Sequence, residues 1–320
     1  MYEAIAARLR RRDEKAARRF AIAVLRLHSP LLRLWARRRA DTAAGLFIPS
    51  MGLAPANPVG LAAGFDKDGS LIPLLDGLGF GCIEAGTVTP LPEPGNNPGI
   101  PVLLANLHRT RPGDDSMPPR IASCLGISIG VNTCTPPDKA ADDLRAGLRA
   151  VWNSADYIVV NLSSAHMRVL HEERNKHLLR GLLCQLKEEQ ALLAARSGRR
   201  VPLAVKVALD LAGPTLPAAV GLVRELRFEA LIAATGQTRQ TAHIPPQSLQ
   251  RLRNQWTRQV AQVLEGRACL IAVGGVTTAE DIHERLAAGA GLVQVYGALV
   301  QRGARAMHVM ARAVQDAGAP

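Results

Sequence analysis

Polar and cationic side chains interrupt or follow several apolar runs of this 320-residue chain. Lys206 stands inside the apolar run 204–208, where an unpaired ammonium group is costly, so we expect it to face an anion or an electron-rich ligand. Asn161, followed by Ser163 and Ser164, offers an amide and two hydroxyl groups at the end of another run. Packing does not require these groups, so they are candidates for binding a substrate and moving a proton.

Small residues mark the end of the first apolar run of the body. Ala62, Ala63 and Gly64 let the backbone approach a flat ligand, and Lys67 adds a cation just beyond them. Thr87 offers a hydroxyl group at the end of the next run. These residue types at neighbouring strand ends indicate a site for a flat, polar ligand.

Glycines end the last two apolar runs. The first of these runs ends in Gly274 and Gly275, and the second is followed by Tyr296 and Gly297. Backbone N–H groups at the corresponding strand ends of parallel barrels form a cradle for phosphorylated ligands. We therefore expect the ligand to carry a phosphate group.

Each of these residues also has a purely structural interpretation. Ser164 has the residue type of a helix N-cap, which the sequence does not distinguish from a catalytic role. Lys206 has Asp210 nearby as a possible structural partner, and Lys67 has an aspartate on either side of it. The strand-end positions of the two lysines favour ligand contact.

The elements that must position these residues alternate along the chain. The helical patterns are 69–78, 137–153, 172–197, 214–227, 247–265, 278–288 and 303–316. The apolar strand patterns are 60–65, 81–88, 127–131, 157–163, 201–208, 230–236, 269–275 and 292–299. Continuously apolar strands are typical of parallel strands buried on both faces. Eight strands alternating with helices predict an α/β fold, a (β/α)8 TIM barrel with its site at the carboxyl ends of the strands.

Two segments depart from this alternation. The Pro- and Gly-rich segment 89–126 shows no clear helical pattern and is predicted to be a long loop over the site. Residues 2–38 are predicted to form two short helices that break at Ser29-Pro30, with an apolar stripe beside a cationic face. We divide the chain into a basic amphipathic helical extension, residues 1–42, and a barrel, residues 43–320.

The positive charge is concentrated in the extension. The net charge is +12, and residues 1–40 hold 12 basic and three acidic residues. The body is nearly neutral and only 3% of the chain is aromatic, which disfavours nucleic-acid binding. A basic amphipathic arm is typical of a helix at an anionic membrane surface, but also of one packed on its own domain.

Cysteines and histidines give little support to a metal or disulfide site. The five cysteines form no CxxC pair, which argues against a zinc site and against disulfides. His166, His171 and His177 fit no standard zinc spacing, so we expect no metal. No apolar run reaches the roughly 18 residues of a membrane span, and the first 12 residues lack a secretory pattern.

On these residues the chain resembles the class 2 dihydroorotate dehydrogenases, the quinone-linked FMN enzymes of pyrimidine synthesis. Segments 51–69, 79–90 and 287–296 are similar to the family's first-strand, second-strand and last-strand signatures. The basic arm is similar to the extension that holds class 2 enzymes at the membrane and forms the quinone entry. The resemblance implies a peripheral protein on the cytoplasmic face of the membrane, contacting it through residues 1–40.

The resemblance also implies roles for individual residues. Ser164 matches the family's catalytic base, which takes a proton from dihydroorotate while a hydride goes to FMN. Lys67 matches a lysine that contacts both the substrate and the flavin. Asn161, His166 and Thr235 stand at substrate-contacting positions. The positions that match FMN contacts are Ala62, Ala63, Gly64, Thr87, Asn161, Lys206, Gly275, Tyr296 and Gly297.

Several family motifs are altered, mostly on the substrate side. The family's Asn-x-x-Gly-Phe-Asn motif is missing from 91–126, and His166 and Thr235 stand where the family has asparagines. Ser128 replaces a strand 3 asparagine, and residues 243–246 replace a Gly-Leu-Ser-Gly segment that touches FMN. Most positions on the flavin side are kept, so the chain is expected to retain a flavin site.

Three hypotheses account for this pattern. The first is a working, divergent dihydroorotate dehydrogenase. The second is an FMN oxidoreductase with another anionic substrate, held by a new cationic pocket of His108, Arg109, Arg111, His166 and Arg168. The third is an inactive paralogue that keeps the barrel for binding. Loss of the amide groups that grip dihydroorotate is expected to cost orders of magnitude in turnover, which opposes the first hypothesis. The prediction that Lys67→Ala and Ser164→Ala abolish turnover separates the first hypothesis from the third.

Overall fold

The computed structural model describes residues 2–30, 32, 34, 46–110, 122–213 and 215–316. Its centre is a closed barrel of eight parallel strands in sequential order, which confirms the predicted (β/α)8 architecture. The strands are β1 Val59–Asp66, β2 Cys82–Val88, β3 Cys124–Ile129, β4 Tyr157–Asn161, β5 Leu203–Ala208, β6 Ala230–Ala234, β7 Cys269–Val273 and β8 Leu292–Val295.

Helices precede the barrel and connect its strands. The helices are α1 Tyr2–Arg12, α2 Glu14–Leu27, α3 Ile72–Asp76, α4 Ile100–Thr110, α5 Ala140–Val151, α6 Lys176–Ser197, α7 Ala218–Glu225, α8 Pro246–Leu264, α9 Ala279–Ala287 and α10 Gly297–Asp316. Short 3-10 helices cover Pro137–Lys139, Ala165–His171 and Glu173–Asn175. No helix of the described residues is both long and apolar enough to cross a membrane.

The apolar residues form two buried clusters because each strand is covered on both faces. The larger cluster lies between the strands and the surrounding helices. The smaller one includes Tyr157, Ile232 and Ile271, with Ile48 and Met51 from the segment before β1. A side chain at Gly126 would collide with the Tyr157 ring, so glycine is required there.

The segment between β2 and β3 differs from its prediction. It was predicted to be a long loop, but it contains α4. Ile100, Leu103 and Leu107 lie one helical turn apart and are each no more than 4% exposed. Pro101 fits because the first helical turn does not need its missing N–H group. Residues 111–121 of the predicted loop lie outside the described residues.

The extension also has one more break than predicted. Asp13 separates α1 from α2, and its side chain accepts a hydrogen bond of 2.8 Å from the backbone N–H of Lys15. α2 ends at Leu27, next to the predicted break at Ser29-Pro30. Most of the second predicted helix, and the domain boundary at 42/43, lie outside the described residues.

The two helices pack on the barrel. The ring of Tyr2 stacks on Phe20 with centroids 5.2 Å apart, and its hydroxyl group donates a hydrogen bond of 3.0 Å to the carbonyl of Val300 in α10. In α2, the Arg18 Nε–H donates a hydrogen bond of 2.8 Å to the carbonyl of Phe65 at the end of β1. The extension therefore contacts the end of the barrel where the candidate site lies.

Candidate active site

A cavity of about 430 Å³ lies at the carboxyl ends of the first four strands. The backbone loop 89–99 closes one side of it, and the 3-10 helix Ala165–His171 lies on another. It is lined by Gly64, Lys67, Thr87, Thr89, Glu93, Asn96, Asn97, Gly130, Val131, Thr133, Asn161, Ser164, Ala165 and His166. Six residues predicted to form the site are thus brought together: Gly64, Lys67, Thr87, Asn161, Ser164 and His166.

Lys67 is held by the loop that follows β2. Its Nζ donates hydrogen bonds of 2.7 Å to Asn96 Oδ1 and 3.0 Å to the Asn96 carbonyl. Within the described chain no carboxylate lies within ion-pair distance of Lys67, so the predicted alternative of pairing with the neighbouring aspartates is wrong. Burial lowers the pKa of Lys67, and the charges of Arg18 and Lys15 on α2 lower it further.

The aspartates beside Lys67 have other contacts. Asp66 is fully buried and accepts a hydrogen bond of 2.9 Å from the Leu71 N–H, while Asp68 accepts one of 3.1 Å from the Ser70 N–H. Burial raises the pKa of Asp66 to about 7, and its hydrogen bond with Asp68 contributes in the same direction. Asp66 therefore fixes the turn after β1 without facing the cavity.

A chain of hydrogen bonds orients the polar groups on the barrel side of the cavity. The Asn161 Nδ2 donates a hydrogen bond of 2.9 Å to Thr87 Oγ1, which lies 2.9 Å from Ser128 Oγ. Asn161 Oδ1 accepts hydrogen bonds of 3.0 Å and 2.6 Å from the N–H and hydroxyl groups of Ser163. The amide of Asn161 is thus fixed in one orientation.

Ser164 and His166 face the cavity with unused hydrogen-bonding capacity. Ser164 occupies the N-cap position of the 3-10 helix Ala165–His171, as its structural interpretation predicted, but its side chain makes no capping hydrogen bond. The Nε2 atom of His166 is buried and has no hydrogen-bond partner among the described residues. No cluster of three or more His, Cys, Asp or Glu side chains in that part of the chain is placed to hold a metal ion. Both groups are therefore available to a bound substrate.

Lys206 lies beside a buried carboxylate. Its Nζ lies 3.8 Å from Glu84 Oε2, which also accepts a hydrogen bond of 3.1 Å from the Ala63 N–H. Glu84 Oε1 accepts hydrogen bonds from Gln294 and, at 3.3 Å, from the Tyr157 hydroxyl. The predicted alternative of pairing with Asp210 is wrong because the lysine points into the barrel. Asn161 and Lys206 are aligned partners on β4 and β5, which puts the ion pair next to the polar chain.

Glycines with positive φ end β7, as the cradle prediction requires. Gly274 has φ +112° and Gly275 has φ +71°, which are conformations that side chains rarely adopt. A side chain at Gly275 would also collide with the guanidinium of Arg253. Tyr296 follows β8, and Gly297 begins α10, whose first turn holds no acidic residue. The ring of Tyr296 contacts Phe65 edge to face at 6.3 Å.

The remaining predicted residues do not line the cavity. Thr235 is 3% exposed, and its hydroxyl group donates a hydrogen bond of 2.9 Å to the carbonyl of Val273. The residues outside the cavity lining are Ala62, Ala63, Lys206, Thr235, Gly275, Tyr296 and Gly297, all at strand ends on the same side of the barrel. These residues lie beside the cavity, around the same end of the barrel.

The cationic pocket of the second hypothesis is not formed. His108 and Arg109 are exposed in the last turn of α4, and Arg109 donates to the carbonyl of Ala105 in its own helix. Arg168 is exposed as well, and Arg111 lies outside the described residues. Of the described members, only His166 lines the cavity.

Sequence reasoning missed four residues of this region. Glu84 and Asn96 hold the two lysines, and Arg253 and Arg285 lie buried near the end of β7. Glu84 carried a signal because it is a carboxylate inside an apolar strand, like Lys206. Arg253 carried none, because helix α8 contains two other arginines, Arg251 and Arg258, both exposed.

Comparisons with known proteins give a consistent result. A family model described as dihydroorotate dehydrogenase matches residues 48–317. A protein of Xanthomonas campestris pv. campestris named dihydroorotate dehydrogenase (quinone) is 39% identical over 289 residues, covering 80% of each chain. One of the same name from Halorhodospira halophila is 35% identical, covering 84% of this chain and 86% of its own.

Solved structures show the same similarity. Ligand-free DHODH from Eimeria tenella matches with a TM-score of 0.68 and 25% identity, over 91% of this chain and 92% of its own. The same enzyme in complex with ferulenol matches with a TM-score of 0.65 over 92% of each chain. The similarity covers the barrel and reaches beyond it.

Proposed function

Because this chain belongs to the dihydroorotate dehydrogenase family, we propose that it oxidises dihydroorotate to orotate and passes the electrons to a quinone. The observation that carries the proposal is the cavity, which gathers a cation, an oriented amide and an unengaged hydroxyl group at one end of the barrel. These groups belong to Lys67, Asn161 and Ser164. This reaction would place the protein in pyrimidine biosynthesis.

FMN is the cofactor that we propose, and the barrel mouth fits it in two ways. Ala62, Ala63 and Gly64 leave the strand end open to a flat ring, and the positive φ of Gly64 requires glycine. The turn at Gly275 and the start of α10 offer N–H groups to a phosphate. Bound FMN would supply the hydride acceptor. The residues that we propose to hold it are Ala62, Ala63, Gly64, Thr87, Asn161, Lys206, Gly275, Tyr296 and Gly297.

Ser164 is the residue that we propose to move the proton. The oxidation removes two hydrogens from adjacent carbons of dihydroorotate, one as a hydride and one as a proton, and a C=C bond forms. Ser164 Oγ has no hydrogen-bond partner among the described residues, so it is free to accept that proton from a bound substrate. Its reactivity depends on the site because a serine hydroxyl is a weak base.

Substrate binding is proposed for Lys67, Asn161, His166 and Thr235. Lys67 offers a cation to the substrate carboxylate, and burial lowers the pKa of that ammonium group. His166 offers its unpartnered Nε2 to a substrate amide or carbonyl. Thr235 is the weakest of these assignments because its hydroxyl group is already used by β7.

A different anionic substrate is the second candidate function. The observation that favours it is His166, which lines the cavity with a buried, unpartnered Nε2 at a position where the resembling enzymes have an asparagine. An imidazole and a carboxamide present different donors and acceptors, so the cavity would select a different ligand.

An anaerobic absorbance spectrum before and after dihydroorotate tests the proposal. A flavin band that bleaches supports it, and Ser164→Ala should slow the bleaching by about 100-fold or more while the band itself is kept. Ser248→Ala, on the exposed first turn of α8, is the control and should bleach like the wild type. A band that stays oxidised rejects dihydroorotate and favours the second candidate. No band after reconstitution with FMN favours an inactive paralogue.

We also propose that the extension holds the protein at the cytoplasmic face of an anionic membrane. Ile5, Leu27 and Leu34 are large apolar residues that the barrel leaves exposed, and Leu27 is 80% exposed. Arginines surround them on α1 and α2. Exposed apolar groups beside cations are what an interfacial helix presents to anionic lipid.

Sedimentation with anionic vesicles tests this contact. Leu27→Glu should lower the bound fraction because it places a carboxylate where an apolar side chain meets the lipid. Leu192→Glu, on α6, is the matched control, since Leu192 is 51% exposed and lies far from the extension in sequence. Equal binding of the two variants would refute the assignment.

A further inference from the structure

Two arginines are buried beside the turn that ends β7. Arg253 in α8 is 7% exposed and Arg285 in α9 is 1% exposed. Gln250 Oε1 accepts a hydrogen bond from each of them, at 3.3 Å from Arg253 and 3.4 Å from Arg285, so the two guanidinium groups are neighbours. Two like charges are thus held together out of water.

Among the described residues no carboxylate forms an ion pair with either arginine. Asp281 and Glu284 are close enough for their charges to act on Arg285, but neither forms an ion pair with it. Asp281 accepts hydrogen bonds from the N–H groups of Thr277 and Thr278 and from Gln250, and Glu284 accepts one of 2.7 Å from Asn254. Buried charges are normally in direct contact with an opposite charge, and this cluster has no such contact with a carboxylate.

The arginines also keep unused donors. Arg253 donates from Nε to the Thr235 carbonyl at 3.1 Å and from Nη1 to Gln250, and its Nη2 has no partner in the described chain. Arg285 donates weakly to Thr257 Oγ1 and the Gly274 carbonyl, and its buried Nε has no partner there. A guanidinium fork with free N–H groups matches a phosphate.

The guanidinium of Arg253 lies directly against Gly275. The two are so close that a side chain at position 275 would overlap its Nη1. Gly275 has φ +71° and belongs to the turn that follows β7. The unpaired cation and the glycine turn therefore meet at one place.

We propose that Arg253, supported by Arg285, binds the phosphate group of the flavin cofactor at the Gly274–Gly275 turn. This inference rests on the proposed function, since it assigns a new residue to the proposed FMN. Arg253 supplies positive charge directly beside Gly275. It makes the chain selective for a phosphorylated flavin.

Binding of FMN and of riboflavin, which lacks the phosphate, to the full-length flavin-free chain tests the proposal. Arg253→Gln should weaken FMN binding roughly 10- to 150-fold, the size of a charge-assisted hydrogen bond, and change riboflavin binding less than about threefold. Arg251→Gln, which removes the same charge from the exposed face of α8, is the matched control and should bind both flavins like the wild type.

A purely structural role for Arg253 predicts a different result. If the arginine only ties β6 to α8, Arg253→Gln weakens FMN and riboflavin equally, and the inference is overturned. Equal FMN affinity of the variant and the wild type overturns it too. A wild type that binds neither flavin refutes the proposed function, which is a distinct outcome.

Inorganic phosphate provides a readout that does not depend on the flavin ring. Millimolar phosphate should raise the melting temperature of the flavin-free wild type more than equal ionic strength of chloride does, and this difference should vanish in Arg253→Gln. Arg253→Lys covers the case in which the glutamine variant fails to fold. It keeps the charge but not the fork, and should retain a reduced preference for FMN over riboflavin.

Discussion

The buried pair of Lys206 and Glu84 gives the sharpest energetic prediction. Its atoms are 3.8 Å apart, with side-chain exposures of 10% and 0%. At an effective dielectric constant near 20, two unit charges at this distance attract by about 4 kcal/mol. Removing one partner leaves the other charge buried without its counter-ion, which costs about 3–5 kcal/mol. Lys206→Met should therefore destabilise the fold by that amount.

Thermal unfolding measures the effect. The entropy of unfolding of a chain of 320 residues converts about 3–5 kcal/mol into a fall in Tm of about 4–8 °C. Glu84→Gln should lower Tm similarly, because it strands the ammonium group of Lys206. The double variant should recover much of the loss, since it leaves neither charge behind, giving a coupling free energy of about 2 kcal/mol or more.

An exposed ion pair is the control. Arg180 lies 2.6 Å from Glu225, but their side chains are 47% and 52% exposed, so Arg180→Met should lower Tm far less than Lys206→Met does. Additive effects of Lys206→Met and Glu84→Gln, with coupling below about 0.5 kcal/mol, would show that the two groups do not stabilise each other. In that case Glu84 does not hold Lys206 in place.

Two further predictions concern the strand ends. The pKa of Asp66 is raised to about 7 from an ordinary value of 3.8, so the folded state binds this proton more tightly than the unfolded state does. The contribution of Asp66 to stability is therefore complete below about pH 4 and is lost as the pH rises through 7. Asp66→Asn should flatten that pH dependence of Tm, and an unchanged slope would contradict the protonated state. Gly275→Ala should reduce both stability and FMN binding because φ is +71° and Arg253 fills the space. Gly266→Ala, with φ +69° and open space around it, should cost only about 1 kcal/mol and leave FMN binding unchanged.

The strand pattern was predictable because each strand is covered on both faces. Continuous apolar runs identified all eight strands, with errors mainly at their ends, as at β8, where residues 297–299 begin a helix. α4 was missed because prolines and glycines around it obscured the buried stripe of Ile100, Leu103 and Leu107. The periodicity of that stripe was present in the sequence.

The site was only partly predictable because partners are set by the fold. The position of Lys206 in an apolar strand marked it as unusual, but choosing Glu84 over Asp210 required the barrel geometry. The free side chain of Ser164 could not be distinguished from an N-cap by residue type alone. Arg253 looked like any other arginine of a basic helix until its burial and its contact with Gly275 were known.

The hydrogen bonds of Glu84 determine when the barrel can close while the chain is being synthesised. Glu84 binds Gln294, which lies 210 residues later, and β1 pairs with β8 through Val59 and Val293. At about 5–20 residues per second, a ribosome needs roughly 10–40 s to make the intervening chain. Until then the carboxylate cannot be desolvated, and β1 and the newest strand remain open edges that invite pairing with other chains. The centre of the site is thus completed last.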